Sequence, residues 1–193
     1  MGLQATGWAE SPARRRSAGA AGGRSAGDEQ PMVLRFLEPN RPYKPGTLGG
    51  DLNTHGTART AIAQAIRQGR PAATAAMAGI GAHSPAPGGH KAADTIMIFQ
   101  ALYRGHPSSP QARQESVQGV VFVSLHLPSV LASLAQDMPS YLHLCLLDTH
   151  PVGPPTRLAG PVGCEAHTTP LRQVKHMPLA GREWQLQVSA EPD

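Results

Sequence analysis

Nine histidines and two cysteines are the side chains best suited to hold a metal or attack a substrate, and their spacing decides whether they do. The histidines are His55, His83, His90, His106, His126, His143, His150, His167 and His176. A zinc site needs clustered ligands, such as C-x-x-C, H-E-x-x-H or a histidine pair at helical spacing. None occurs, so the histidines read as solvated or hydrogen-bonded groups and no metal is expected. Acyl transfer fares no better. No G-x-S-x-G elbow presents a serine, and Cys145 lies in an apolar run, where a thiol is inert. The 13 acidic residues contain no pair spaced for acid–base work. Glycines between Gly79 and Gly89 are interrupted by proline and histidine and match neither Walker nor Rossmann spacing. The residues point away from an enzyme and call for no cofactor.

Charge and composition narrow the alternatives. The formal charge of +4 owes much to Arg14, Arg15, Arg16 and Arg24. No basic run is interleaved with aromatic residues, as single-strand stacking would require, so no nucleic-acid partner is expected. With 21 glycines, 19 prolines and 4% aromatic residues, the 193-residue chain has room for one domain with a modest core and long loops. Cys145 and Cys164 form a disulfide only in an oxidising compartment; otherwise Cys145 is a small core residue. No apolar stretch reaches the ~20 residues of a membrane helix, and the N-terminal arginines have no apolar signal-peptide region behind them.

The elements that position these residues follow from periodicity. Residues 1–31, rich in Ala, Gly, Ser and Arg, read as a disordered segment. A strand is expected at 33–38. The stripe Ala58, Ala61, Ile62, Ala65 and Ile66 predicts a helix over 57–68, with Thr57 as cap and Gly69 ending it in a left-handed turn. A weak strand at 72–77 precedes a loop over 79–91. Apolar strands are expected at 95–104 and 116–127, joined by a polar, Pro-broken connection at 105–115. Pro128 opens a second helix with Val130, Leu131, Leu134 and Met138 as its stripe. A strand at 142–148, a long Gly/Pro loop and a final strand at 184–188 complete an α+β domain built on antiparallel sheet.

An ordered series of residues runs through these elements. It reads Glu38-Pro39-Asn40, Gly50-Asp51-Leu52, Arg59, Ala65, Gly69, Thr74, Tyr103-Arg104-Gly105, Arg113, Gly119-Val120-Val121, Asp148 and Gly181-Arg182-Glu183-Trp184-Gln185-Leu186. At these spacings it resembles the CHASE domain, the extracytoplasmic sensor of bacterial diguanylate cyclases and histidine kinases and of plant cytokinin receptors. The resemblance covers residues 32–190.

It implies two PAS-like modules, a distal ligand module at 32–127 and a proximal one at 128–190. By similarity, Glu38 and Thr74 take the positions of the acidic and threonine groups that hold ligand, and Tyr103 lies near the pocket. A carboxylate accepts N–H bonds and a threonine hydroxyl both donates and accepts, so few such groups give an apolar pocket its selectivity. Asp51, Arg59, Gly69, Gly119 and Trp184 take structural positions. The function implied is a signal-input module, not an enzyme, with a small-molecule ligand and a homodimer in the full-length receptor. Its place is periplasmic or extracytoplasmic, with membrane segments and output domain outside this chain. The alternative is a free-standing soluble PAS-like protein that binds a small ligand or a partner.

Three departures are visible. The triplet Ala101-Leu102-Tyr103 lacks the family's proline, and the loop at 79–91 is long. The family's long N-terminal helix, first strand and leading membrane helix have no visible counterpart in residues 1–31. Loss of that helix implies a marginal fold with exposed apolar surface.

Overall fold

Val117–His126 (β5) carries the apolar residues around which a first sheet is built, and it pairs antiparallel along almost its whole length with Thr95–Tyr103 (β4). A computed structural model describes residues 3–11, 30–39, 46–78, 94–150, 154–166 and 169–190. On the other side of β5 lies Leu3–Glu10 (β1), followed by Val33–Pro39 (β2) at one edge; Ala72–Ala73 (β3) forms the opposite edge. The order is β2-β1-β5-β4-β3, antiparallel throughout.

β1 corrects the expectation that residues 1–31 are disordered. Its sequence, LQATGWAE, has weak strand propensity and no clean alternation. Strand propensity is mostly a measure of packing against neighbours, and here those neighbours are remote in sequence. A Cβ at Gly7 would run into the Phe122 ring, and one at Gly119 into the Ala9 carbonyl. The small residues that make β1 look unstructured are what a central strand beside Phe122 needs.

Gly56–Gln68 (α1) covers one face of this sheet. Ala58, Ala61, Ile62 and Ala65 are buried against Leu34, Met97, Phe99, Val120 and Phe122, as the stripe predicts, while Ile66 is only half-buried. Phe99 and Phe122 pack with ring centroids 5.6 Å apart. His55, not Thr57, occupies the N-cap position, without a side-chain cap bond. Gly69 ends the helix with φ 68°, as expected. The connection after β4 is no plain loop: Pro110–Ser116 (α2) is a short helix whose first turn is capped by Ser109, which accepts from the Ala112 N–H at 3.1 Å. Serine followed by proline at the first helical position is a start signal.

Leu127–Ala135 (α3) leads to a second sheet. Leu127 and Leu131 are buried and Met138, past the helix end, packs against the same core, but Leu134 is 58% exposed. The second sheet contains Leu142–Asp148 (β6), Thr156–Ala159 (β7), Arg172–Leu179 (β8) and Arg182–Ala190 (β9), in the order β7-β6-β9-β8. β7 and β8 occupy the span expected to be one long loop. β8 is exposed on both faces, so it shows no alternation that a sequence pattern would reveal. Ile96, Leu127, Leu131, Leu144, Leu146, Leu158 and Trp184 form one core joining α3 to both sheets. The architecture is α+β, two antiparallel PAS-like units with few helices. Among the described residues no helix is long and apolar enough to cross a membrane. The 79–91 loop and most of the 12–31 segment lie outside the described residues.

Candidate functional site

Thr74 continues β3 and is 1% exposed. Its N–H donates to the Met97 carbonyl at 2.8 Å, and its Oγ1 accepts from the Met97 N–H at 3.0 Å. The side chain therefore extends the β3–β4 ladder where the backbone has already left it. Among the described residues no acceptor for its hydroxyl hydrogen is seen.

Glu38 is placed elsewhere. In the cross-strand register it shares a row with Thr6, Val123, Ile98 and Ala73, on β2 at the far edge of the sheet. Four inter-strand spacings make about 19 Å. Thr74 shares its row with Met97, which packs under α1, so by register the two residues belong to opposite faces. The fold does not bring Glu38 and Thr74 together, and Glu38 is exposed.

Tyr103 lies at the end of β4, and its hydroxyl donates to the carbonyls of Ile66 at 2.8 Å and Ala65 at 3.2 Å. Arg113 on α2 adds a bond from Nε to the Arg67 carbonyl at 2.9 Å. The last carbonyls of a helix have no partners within it. Here a phenol and a guanidinium supply them, so Tyr103 fixes the end of α1. Burial raises its pKa above the usual tyrosine value, with the Arg113 charge pulling the other way.

Asp51 is equally structural. Its Oδ1 accepts from the N–H groups of Met32 at 2.8 Å and Asn53 at 3.0 Å, pinning the chain before β2 to the 3-10 turn Leu52–Thr54. Arg59 is exposed on α1. Gly69 and Gly119 serve the helix end and the close β1–β5 approach described above, and Trp184 fills the shared core.

Three groups are brought together by the fold: the sequence left the cysteine pairing open, named Asp148 and Arg182 without pairing them, and gave no signal for the third. Asp148 and Arg182 form a pair with Arg182 Nη2 2.6 Å from Asp148 Oδ2, their side chains 5% and 13% exposed. Cys145 and Cys164 are joined in a disulfide, with Cα atoms 5.9 Å apart. His126 bridges Ser129 Oγ, 2.7 Å from Nδ1, and Asp94 Oδ2, 3.2 Å from Nε2. The last group has the composition of a hydrolytic triad, but its geometry is that of a cap. The Ser129 N–H points at His126 Nδ1 at 3.3 Å, and the Leu127 N–H donates to the Asp94 carbonyl at 2.9 Å. The ring thus caps the first turn of α3, with the Ser129 amide and the Leu127 amide both engaged by the His126–Asp94 pair. Among the described residues no three His, Cys, Asp or Glu side chains gather as a metal site.

The comparisons with known proteins agree with this geometry. The model of the CHASE domain matches residues 2–158. The match begins within a residue of β1 and thus includes the strand that the sequence pattern concealed; it ends before the Gly181–Leu186 stretch. No curated protein matches the chain. Among solved structures, an extracellular ligand binding receptor from Desulfohalobium retbaense DSM5692 is similar in shape, with a TM-score of 0.54 at 8% identity, covering 98% of this chain and 30% of that one. At that identity the likeness is one of fold, and this chain spans less than a third of that receptor's length. With most of its length matched, including the whole first sheet, the chain belongs to the CHASE domain family.

Proposed function

We propose that this CHASE domain is the extracytoplasmic input module of a transmembrane receptor, binding a small molecule in its first sheet unit and passing a conformational signal to an output domain such as a diguanylate cyclase or histidine kinase. The observation that carries the reading is the family match over residues 2–158, which spans β1 to β7. The Cys145–Cys164 disulfide supports an oxidising compartment. In this reading residues up to about 127 form the ligand unit, and residues 128–190 the unit nearer the membrane. The full receptor works as a homodimer. The ligand lies on the α1 side of the sheet and meets Thr74, whose hydroxyl hydrogen it accepts; Glu38, at the opposite edge, contributes only if a second group of the ligand or a second molecule reaches it. Catalysis belongs to the output domain.

An immunoblot of native cell fractions, with antibody raised to residues 90–190, tests the receptor reading. A band well above 20.3 kDa in the membrane fraction is expected. A soluble band at 20.3 kDa would sink it and leave a free-standing binding protein.

A further inference from the structure

Asp148, Gly181, Arg182 and Trp184 are members of the ordered series, and they meet at one end of β9. Ala180 and Gly181 turn the chain from β8 to β9 with φ of 48° and 77°. Two consecutive left-handed residues make the tight turn whose twist matches a hairpin. Behind the turn, Arg182 Nε and Nη2 reach Asp148 Oδ2 at 3.0 and 2.6 Å, and Asp148 Oδ1 accepts from the His150 N–H at 3.1 Å. Thr149 adds bonds from its N–H and its hydroxyl to the Glu183 carbonyl, both 2.9 Å. Trp184 anchors the next position in the shared core.

This braced turn lies against the first sheet. The Ala180 carbonyl accepts from the Ala73 N–H at 2.7 Å, occupying the outward-facing donor of edge strand β3. Gly181 approaches α1 so closely that a Cβ there would lie 2.5 Å from Gln64 Nε2. The second sheet thus touches β3, one residue before Thr74, and the middle of α1. These two elements border the Thr74 side chain. β3 is an edge strand of two residues, and beyond β4 its outward side is held by the turn, through the Ala73–Ala180 bond.

We infer that the β8–β9 turn, beside the core shared through α3, is a direct link through which displacement of β3 and α1 in the first sheet is felt by the second. The inference rests on the reading that ligand acts at the first sheet unit. The coupling, however, is a property of the unliganded protein. Such coupling is reciprocal, so disturbing either side alters the other.

Amide hydrogen exchange of the full chain, followed by NMR, tests it without a ligand. Gly181→Val introduces a side chain at a left-handed position facing Gln64, and Asp148→Asn weakens the brace without adding bulk. In both variants the Ala73 and Thr74 amides should exchange roughly five- to tenfold faster, as loss of one hydrogen bond implies, while amides of β1 and β5 keep their protection. Thr74→Val should in turn speed exchange at Leu179 and Arg182. Unchanged β3 protection, with the amides of Leu179 and Arg182 loosened, would overturn the inference. So would uniform acceleration across both sheets, which would mean that they open as one unit. Failure of the input-module reading has a different signature: the soluble 20.3 kDa band, with the exchange pattern intact.

Discussion

A phenol at the end of β4 shows how a residue placed near a pocket by resemblance comes to serve the frame instead. Tyr103 gives its hydroxyl hydrogen to the Ala65 and Ile66 carbonyls, so it has none for a ligand. Tyr103→Phe should cost about 1 kcal/mol, lowering the melting temperature by roughly 2–4 °C, a shift that scanning calorimetry resolves. The burial of the phenol, which raises its pKa against the pull of the Arg113 charge, makes the protein sensitive to alkali. A phenol whose folded pKa is raised contributes stability that is fully present below the unfolded value of 10.0 and is lost as pH rises through the folded value. Stability should therefore fall faster above pH 10 in the native protein than in Tyr103→Phe; parallel urea titrations at pH 9 and 11 would show it, and equal losses would exclude Tyr103 as the cause. The residue type was legible in the sequence, but its partners were not, because they lie 37 and 38 positions away.

Among the elements, α1 was the most legible: its stripe and its glycine end are encoded locally, and only its start differs, with His55 in place of Thr57 at the N-cap. Gly69 at φ 68° is the clearest local signal, because only glycine takes that conformation without strain. Gly69→Ala should destabilise by about 1 kcal/mol, read from the midpoint of urea unfolding at unchanged slope. A side chain there also approaches Arg113, whose Cδ would lie 3.2 Å from the new methyl group. β1 is the opposite case. Its Gly7 and Ala9 carry no pattern of their own and are explained only by Phe122 and Gly119 on a strand more than 100 residues later. α2 lay between these extremes: its Ser109-Pro110 start is readable, but seven residues give no apolar stripe.

At the scale of the whole molecule, the sheet face turned away from α1 carries Phe36 at 53% exposure, Trp8 at 37% and Val121 at 38%, adjacent in one cross-strand row. These three side chains form a contiguous exposed apolar row across β2, β1 and β5. Phe36→Thr should slow aggregation, measured by light scattering at raised concentration, with little change in melting temperature, because the side chain is already half in water. Faster aggregation, or a large loss of stability, would show that Phe36 is needed where it is. The disulfide acts on the other sheet, tying β6 to the turn after β7 across 19 residues. Its reduction should cost about 3 kcal/mol and lower the melting temperature by roughly 6–12 °C. Melting with and without dithiothreitol would check this.

The sequence alone determined the elements whose information is local: the α1 stripe and its glycine stop, the proline opening α3, the apolar strands β4, β5 and β6, and the ordered series that resembles a CHASE domain. These are written in periods of two or 3.6 residues and in the backbone freedom of single residue types. Only the tertiary structure decided that residues 3–10 form a central strand, that Glu38 and Thr74 lie at opposite edges of one sheet, that Cys145 meets Cys164, and that a turn at 180–181 presses on β3. Each of these depends on pairing between segments distant in sequence. Small or polar residues acquire their meaning there from the partner across the gap, and no local pattern records that partner.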